Sequence, residues 1–490
     1  TYPITANMRV SAEYQYTDRV YTRFITYNTI DYKSDKLSIN SYFYNENDLK
    51  NQPLEQDLSN EQKQILSDAG NNINAMVSPS AYLDTFSEDK ILYKKTFIGI
   101  TEIFEYSTTE TDELYNVPFT YTGENLGSYV LKDVIALGKV YEYVGENAGN
   151  YNPVIQLTAP NKLQIAVFKA SYSPTLKTTI NAETAFSTND QNLFSQIDDA
   201  DNDGLATKLS WDQVIFQKKW ELKSAVKFEY INNTFKSIER IQNIEFNRDW
   251  NLKTISGNQQ LISTVLELSN KNNSSLNYQF ENLEFSNSFK GSKHSLFGNF
   301  SHKNISINFK NSLLTNKNLI EKGIFSINYI QTKYNLSKSW YGVILNNESN
   351  IRTEISTNSP INLSHKFNEY EAFFGVGDST KVYTQLGVNF RTTDSIQNNN
   401  LEQVNKSKTF YLKSTLISTK SSNLKAYINY RTVNNKNFNN EESLNSKMVY
   451  KQQLFNQFLS FNTVYQTLSG NLPQQDYAYI KTEPGQGFYT

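Results

Sequence analysis

The chain has 490 residues, with 47 Lys and Arg against 49 Asp and Glu, and a net charge of -2. That balance gives no electrostatic case for a nucleic-acid partner. With no cysteine, disulfide frameworks and thiolate metal sites are excluded. Hydrophobic residues reach only 38%, yet aromatics reach 14% with 33 Tyr and 30 Phe. This content argues for a folded chain built on pleated surfaces that are apolar on one side. No apolar run approaches the roughly 18 residues of a transmembrane helix.

Residues 1–86 read as N-terminal hairpins with one short helix. YNTIDYKSDKLSINSYF turns at Ser34-Asp35, between two stretches of strand character. The spacing predicts a helix over 59–69: Ser59 caps it, Gln62 reaches back in a capping box, and Gly70 ends it. Residues 87–162 have another texture and read as an inserted β-rich domain. Here YTGENLGSY at Tyr121–Tyr129 returns as YVGENAGNY at Tyr143–Tyr151. Each copy reads as strand, glycine-bearing turn, strand, so a duplicated hairpin is expected, the two copies burying a face that one could not. A functional alternative makes Glu124, Asn125, Glu146 and Asn147 paired ligand contacts, with the tyrosines as stacking platforms.

Residues 163–490 carry a dominant period of two, the mark of strands with one apolar face. Trp220, Leu222, Ser224, Val226, Phe228 and Tyr230 form a charge-free face; Glu221, Lys223, Ala225, Lys227 and Glu229 form the other. The same alternation runs through 382–391 and 424–431. Turns are expected at Lys303-Asn304, Gly377-Asp378-Ser379 and Lys420-Asn423, giving antiparallel up-and-down connectivity. Glu369 and Glu371 read as one charged strand face. His294, His302 and His365 read as ordinary strand residues.

One motif is chemically pointed. In IDDADNDGLATK, Asp199, Asp201 and Asp203 precede Gly204 at alternate positions, and the Leu205 carbonyl stands at a seventh-position oxygen. Carboxylates so spaced can converge on a hard cation, so Ca2+ is the expected cofactor. Ser210 stands where the full helical-hand pattern requires a bidentate Glu. The competing reading is a solvated acidic turn.

YVGENAGNYNPV, DDADNDG, GVGDST and the closing LPQQDYAYIKTEPGQGFYT together resemble large cell-envelope β-proteins of Bacteroidota. That resemblance spans most of the chain and rests on structural motifs. It implies export to the outer membrane or cell surface, and it makes this chain a piece of a longer polypeptide, cut short at its C-terminus.

The fold class expected is therefore all-β: antiparallel up-and-down strands of an outer-membrane β-barrel or part of one, with a small inserted β domain. Its partners would be outer-membrane lipid and other envelope proteins, and its role non-enzymatic, in transport or secretion. The alternative is a soluble, secreted, calcium-binding surface adhesin, since period-two strands show only that one face is covered. No nucleophile elbow, phosphate-binding glycine loop or metal-binding His pair marks an enzyme.

Overall fold

A computed structural model describes residues 7–16, 22–50, 57–252, 256–271, 274–286, 288–378, 380–455 and 458–469, the side chains of 7–16, 22 and 469 excepted. The closing LPQQDYAYIKTEPGQGFYT segment and Ser379 lie outside the described residues.

Nineteen strands form one antiparallel sheet in which each pairs with its neighbours in sequence. They are β1 (Asn7–Tyr16), β2 (Thr22–Lys33), β3 (Leu37–Asp48), β4 (Lys162–Thr175), β5 (Thr178–Asp190), β6 (Asp203–Gln217) and β7 (Trp220–Ile231). There follow β8 (Gln259–Asn270), β9 (Ser275–Phe285), β10 (Phe289–His302), β11 (Ile305–Asn318), β12 (Glu321–Asn335) and β13 (Ser339–Glu354). The meander closes with β14 (His365–Gly377), β15 (Tyr383–Gln397), β16 (Asn400–Ser418), β17 (Ser422–Asn435), β18 (Glu441–Leu454) and β19 (Leu459–Ser469). Among the described residues β1 and β19 do not pair with each other. The expected turns at Ser34-Asp35 and Lys303-Asn304 fall between β2 and β3 and between β10 and β11, and the one expected at Lys420-Asn423 leads from β16 into β17, which opens at Ser422.

Strict alternation gives the sheet two unlike faces. Directly opposed residues share a face, so the register carries one row through Leu222, Leu268, Leu276, Gly298, Phe309, Ile330, Leu345, Tyr370 and Phe390. This outer face is uncovered: Trp211, Phe374 and Leu386 are 53%, 50% and 54% exposed. Between β2 and β19 its charged residues cluster at one end, beside the long connections. Lys162, Asp190 and Asp203 on β4–β6, and Lys317, Lys322 and Lys366 on β11–β14, are examples. Among the described residues the remainder of that face, down to the short turns, is uncharged except for Lys408 on β16, which opposes Phe390 and lays its Nζ over the Phe390 and Phe410 rings at 5.5 and 4.8 Å. The inner face carries the opposite set, including Lys169, Glu183, Lys208, Glu221, Lys223 and Glu229.

The long β7–β8 connection folds back over the inner face. Phe246 and Trp250 of its one-turn helix (Phe246–Asp249) pack on Leu283, Phe289, Leu314 and Phe325, all buried, from β9 to β12. Asn251 pins the segment, exchanging amide hydrogen bonds with Asn350 at 2.7 and 3.1 Å.

The domain boundaries differ from those expected. The sheet leaves at Asp48 and returns at Lys162, so the insertion spans residues 49–161, and a cut at residue 86 passes through it. Asp48 N–H donates to the Asn161 carbonyl at 2.9 Å, while Asn161 N–H donates to the Asp48 carboxylate at 3.1 Å, closing the neck. Val77–Pro79 pairs with Val154–Gln156, which ties the early residues to the late ones. Helix α1 (Asn60–Ala69) therefore belongs to the insertion. Its capping box is formed, with Ser59 accepting from Gln62 N–H at 3.2 Å and Ser59 N–H donating to Gln62 Oε1 at 3.0 Å.

Candidate functional site

The inner wall divides into two stretches. On β4–β7 each lysine that pairs meets a carboxylate: Lys169 with Glu183 at 3.1 Å, Lys208 with Glu229 at 2.9 Å, and Lys223 with Glu221 at 2.6 Å. On β12–β17 the wall instead encloses an open cavity of about 650 Å3. Its floor is a joint between aromatic rings and glycines of adjacent strands. A Cβ on Gly375 would meet the Trp340 ring at 2.2 Å, and one on Gly387 would meet the Tyr411 ring at 2.2 Å. The rings lie across these backbones because nothing projects there.

A chain of hydrogen bonds crosses this floor over four strands. Trp340 Nε1 donates to Gln385 Oε1 at 3.0 Å, Gln385 Nε2 to the Tyr411 hydroxyl at 3.1 Å, and Tyr411 O–H to Glu371 at 2.5 Å. Glu369 accepts from Asn389 Nδ2 at 2.6 Å and lies 3.6 Å from Arg391. Glu369 and Glu371 do share one strand face, as read from sequence. Their partners come from β15 and β16, brought by register, and no spacing within β14 announces them. The lining therefore offers fixed carboxylates, amides and cations to a polar solute.

The acidic loop has another geometry. Asp199 and Asp201 lie on a short 3-10 turn (Asp199–Asp201), while Asp203 opens β6. Asp199 accepts from Asn202 Nδ2 at 3.0 Å, Asp203 accepts from Thr188 Oγ1 at 2.7 Å, and the Leu205 carbonyl accepts from Asn232 N–H at 2.8 Å. Among the described residues no group of three or more His, Asp or Glu is placed to hold a metal ion. The β5–β6 connection that leads into this loop caps α1. Asn192, 1% exposed, donates to the Leu66 and Gly70 carbonyls at 2.7 and 2.6 Å, and Ser195 O–H donates to the Ser67 carbonyl at 2.7 Å. Asp198 accepts from Asn71 N–H at 2.7 Å. These bonds satisfy the orphan carbonyls of a helix end and lock the insertion to the sheet's rim.

The doubled phrase forms no pair of separate hairpins. Its copies exchange partners: Tyr121 opposes Tyr151 and Tyr129 opposes Tyr143, while Gly127 and Gly149 exchange both backbone hydrogen bonds at 2.9 Å. The ring pairs are near-identical, with centroids 5.4 and 5.5 Å apart and interplanar angles of 71° and 72°. A pseudo-twofold thus relates the copies, and repetition is what makes the partner swap possible. Asn125 and Asn147 take left-handed backbone angles, φ 56° and 55°, so at these tips Asn is chosen for conformation. Beneath, Tyr93 and Tyr129 are buried; burial pushes both phenols up to about 12.

No family model matches the chain, and no curated protein matches it. The site stands on its geometry alone.

Proposed function

We propose that the chain is a non-enzymatic outer-membrane β-barrel protein of the cell envelope, forming the wall of a polar conduit in transport or secretion. One observation carries this reading: a single sheet whose uncovered face is rich in apolar side chains and, Lys408 apart, uncharged down to the short turns, while its other face is charged. In water such a face would drive association; against hydrocarbon it is the stable arrangement. The outward positions from Trp220 to Tyr230 span roughly 33 Å at about 3.3 Å per residue, or roughly 25 Å at a tilt near 40°, which matches the apolar thickness such barrels present. Trp220 near the turns, with Phe186 and Tyr230 nearer the long connections, stands where aromatic girdles belong. Hydrocarbon tolerates no open strand edge, so β1 and β19 must pair with each other or with further strands. Short turns at one end and the insertion at the other orient the insertion toward the outside, as in barrels of this class.

Detergent dependence tests the proposal. The full chain should purify as a monodisperse species only with detergent or lipid, and heat-sensitive mobility on electrophoresis should report a folded barrel. A monodisperse, folded, detergent-free species would overturn it.

A further inference from the structure

Beyond the aromatic-floored cavity, the inner wall holds a second hollow of about 710 Å3, on the turn side of β15–β18. Its lining includes Lys381, Lys413, Lys425, Lys447, Tyr427 and Tyr383 and, among the described residues, no carboxylate. Lys413, Tyr427 and Lys447 oppose one another directly across β16, β17 and β18, and Lys425 lies two residues from Tyr427 on the same face. Adjacent strands stand about 4.8 Å apart, so three ammonium groups share a patch about 10 Å wide. Like charges this close repel unless something neutralises them.

Among the described residues no carboxylate forms an ion pair with Lys413, Lys425 or Lys447. The inward residues of β19 that complete the rows are Asn462, Val464 and Gln466. Among neighbouring carboxylates, Glu371, which lines the first cavity together with Lys413, is bound by Tyr411; Glu369 lies beside Asn389 and Arg391; and Asp378 in the β14–β15 turn accepts from Thr380 N–H and Oγ1 at 2.9 and 2.7 Å and attracts Lys381. Glu402, which pairs with Lys436, lies at the opposite end of the strands. On β4–β7, by contrast, Lys169, Lys208 and Lys223 are each matched and Lys227 stands between Ser210 and Ser263, so it is the clustering of lysines without carboxylates that marks this stretch.

We propose that the hollow between β15 and β18 binds a small, multiply charged anion, held by Lys413, Lys425 and Lys447 with Lys381 at its rim. The ligand class is a phosphorylated or polycarboxylated solute. Ammonium groups on flexible stems suit both, as point charges with three donors each, and the hollow has the volume of a small-molecule site. Tyr427, between two of the lysines, adds a hydroxyl and a ring edge for the ligand's body. This deepens the conduit reading and rests on it only in taking the inner face as the watery side.

The full chain, purified as it proves soluble, is titrated calorimetrically with sodium pyrophosphate and, separately, with sodium citrate. The expected result is saturable binding of at least one, weakened about tenfold or more in a Lys413→Gln/Lys447→Gln variant and unchanged in Lys223→Gln. Preference between the two probes identifies the anion class. Binding should also weaken as sodium chloride rises. Absence of saturable heat with the folded chain for either probe, or equal binding by the double variant, would overturn the site. Detergent dependence is scored independently: a detergent-free chain that binds pyrophosphate keeps the site and loses the barrel, and a detergent-dependent chain that binds neither probe does the reverse.

Discussion

In the insertion, Phe119 is ringed by Tyr93, Tyr129 and Tyr141 at centroid distances of 5.2, 4.8 and 4.6 Å. On the outer face of the sheet, Trp211, Phe374 and Leu386 meet no covering layer and remain half exposed. Both regions are written in the same aromatic-rich composition, but the insertion turns its rings inward on each other, while the sheet leaves many of its rings on the uncovered face and gathers others, Phe289, Phe325, Trp340 and Tyr411 among them, on the opposite one. Aromatic content alone therefore says nothing about where a core lies. The decisive signal is the polarity of the intervening positions: alternate residues are charged in the sheet, whereas the insertion's strands are short and its rings converge from several of them.

The sharpest way to break this comparison is to put a charge on each side of one strand. Val226 faces outward midway along β7, and Ala225 faces inward beside it. Val226→Arg should destabilise the chain in lipid by roughly 2–4 kcal/mol, and Ala225→Arg by far less. Denaturant unfolding in bilayers or vesicles measures both. Equal costs would mean that both faces meet the same medium, and the outer face would then need a protein cover.

A second test separates the two regions. Gly149 sits where a Cβ would meet the Tyr129 carbonyl oxygen at 2.3 Å, and Gly127 where one would meet the Tyr151 nitrogen at 2.3 Å. Gly149→Ala must push these backbones apart and should cost about 1–3 kcal/mol locally. Amide hydrogen exchange in the full chain should accelerate across 121–151 and stay unchanged in β7–β18. Acceleration spreading through the sheet would show that the two regions unfold as one.

What the sequence disclosed divides along the same line. Period two, the turn at Lys303-Asn304 and the Ser59–Gln62 capping box are local matters, decided by residues within a few positions of each other, and they were legible. The shared, charge-free face of Trp220 through Tyr230 was legible because alternation survives any tertiary arrangement. The exchange of partners between Tyr121–Tyr129 and Tyr143–Tyr151 was not, because each copy contains everything a hairpin needs and only the other copy's proximity decides the swap. The same holds for Asn192, whose polar side chain reads as loop surface until the carbonyls of α1 arrive from about 120 residues earlier. The unmatched lysines of β16–β18 were invisible for a related reason: a missing counter-charge is a property of three strands in register, and no one of them shows it.

The smallest expected effect concerns pH and is read on the insertion. Burial raises the Tyr93 and Tyr129 phenols to about 12, above the ordinary value of 10.0 that they regain on unfolding. Between those values the folded form holds protons that the unfolded form has released, so stability falls as pH rises. Below pH 10 the contribution is fully present; it drains away through about pH 12. Each phenol oxygen also accepts a backbone N–H, Tyr129 from Phe104 at 2.8 Å and Tyr93 from Tyr141 at 3.0 Å, which favours the ionised form and opposes burial without overcoming it. Thermal melts of the full chain, followed by near-ultraviolet circular dichroism between pH 9 and 12, should show this slope. Tyr129→Phe should flatten it, whatever that variant's stability at neutral pH. An unchanged slope would place the late-titrating phenols in the sheet, and the insertion's aromatic cluster would then be open to water.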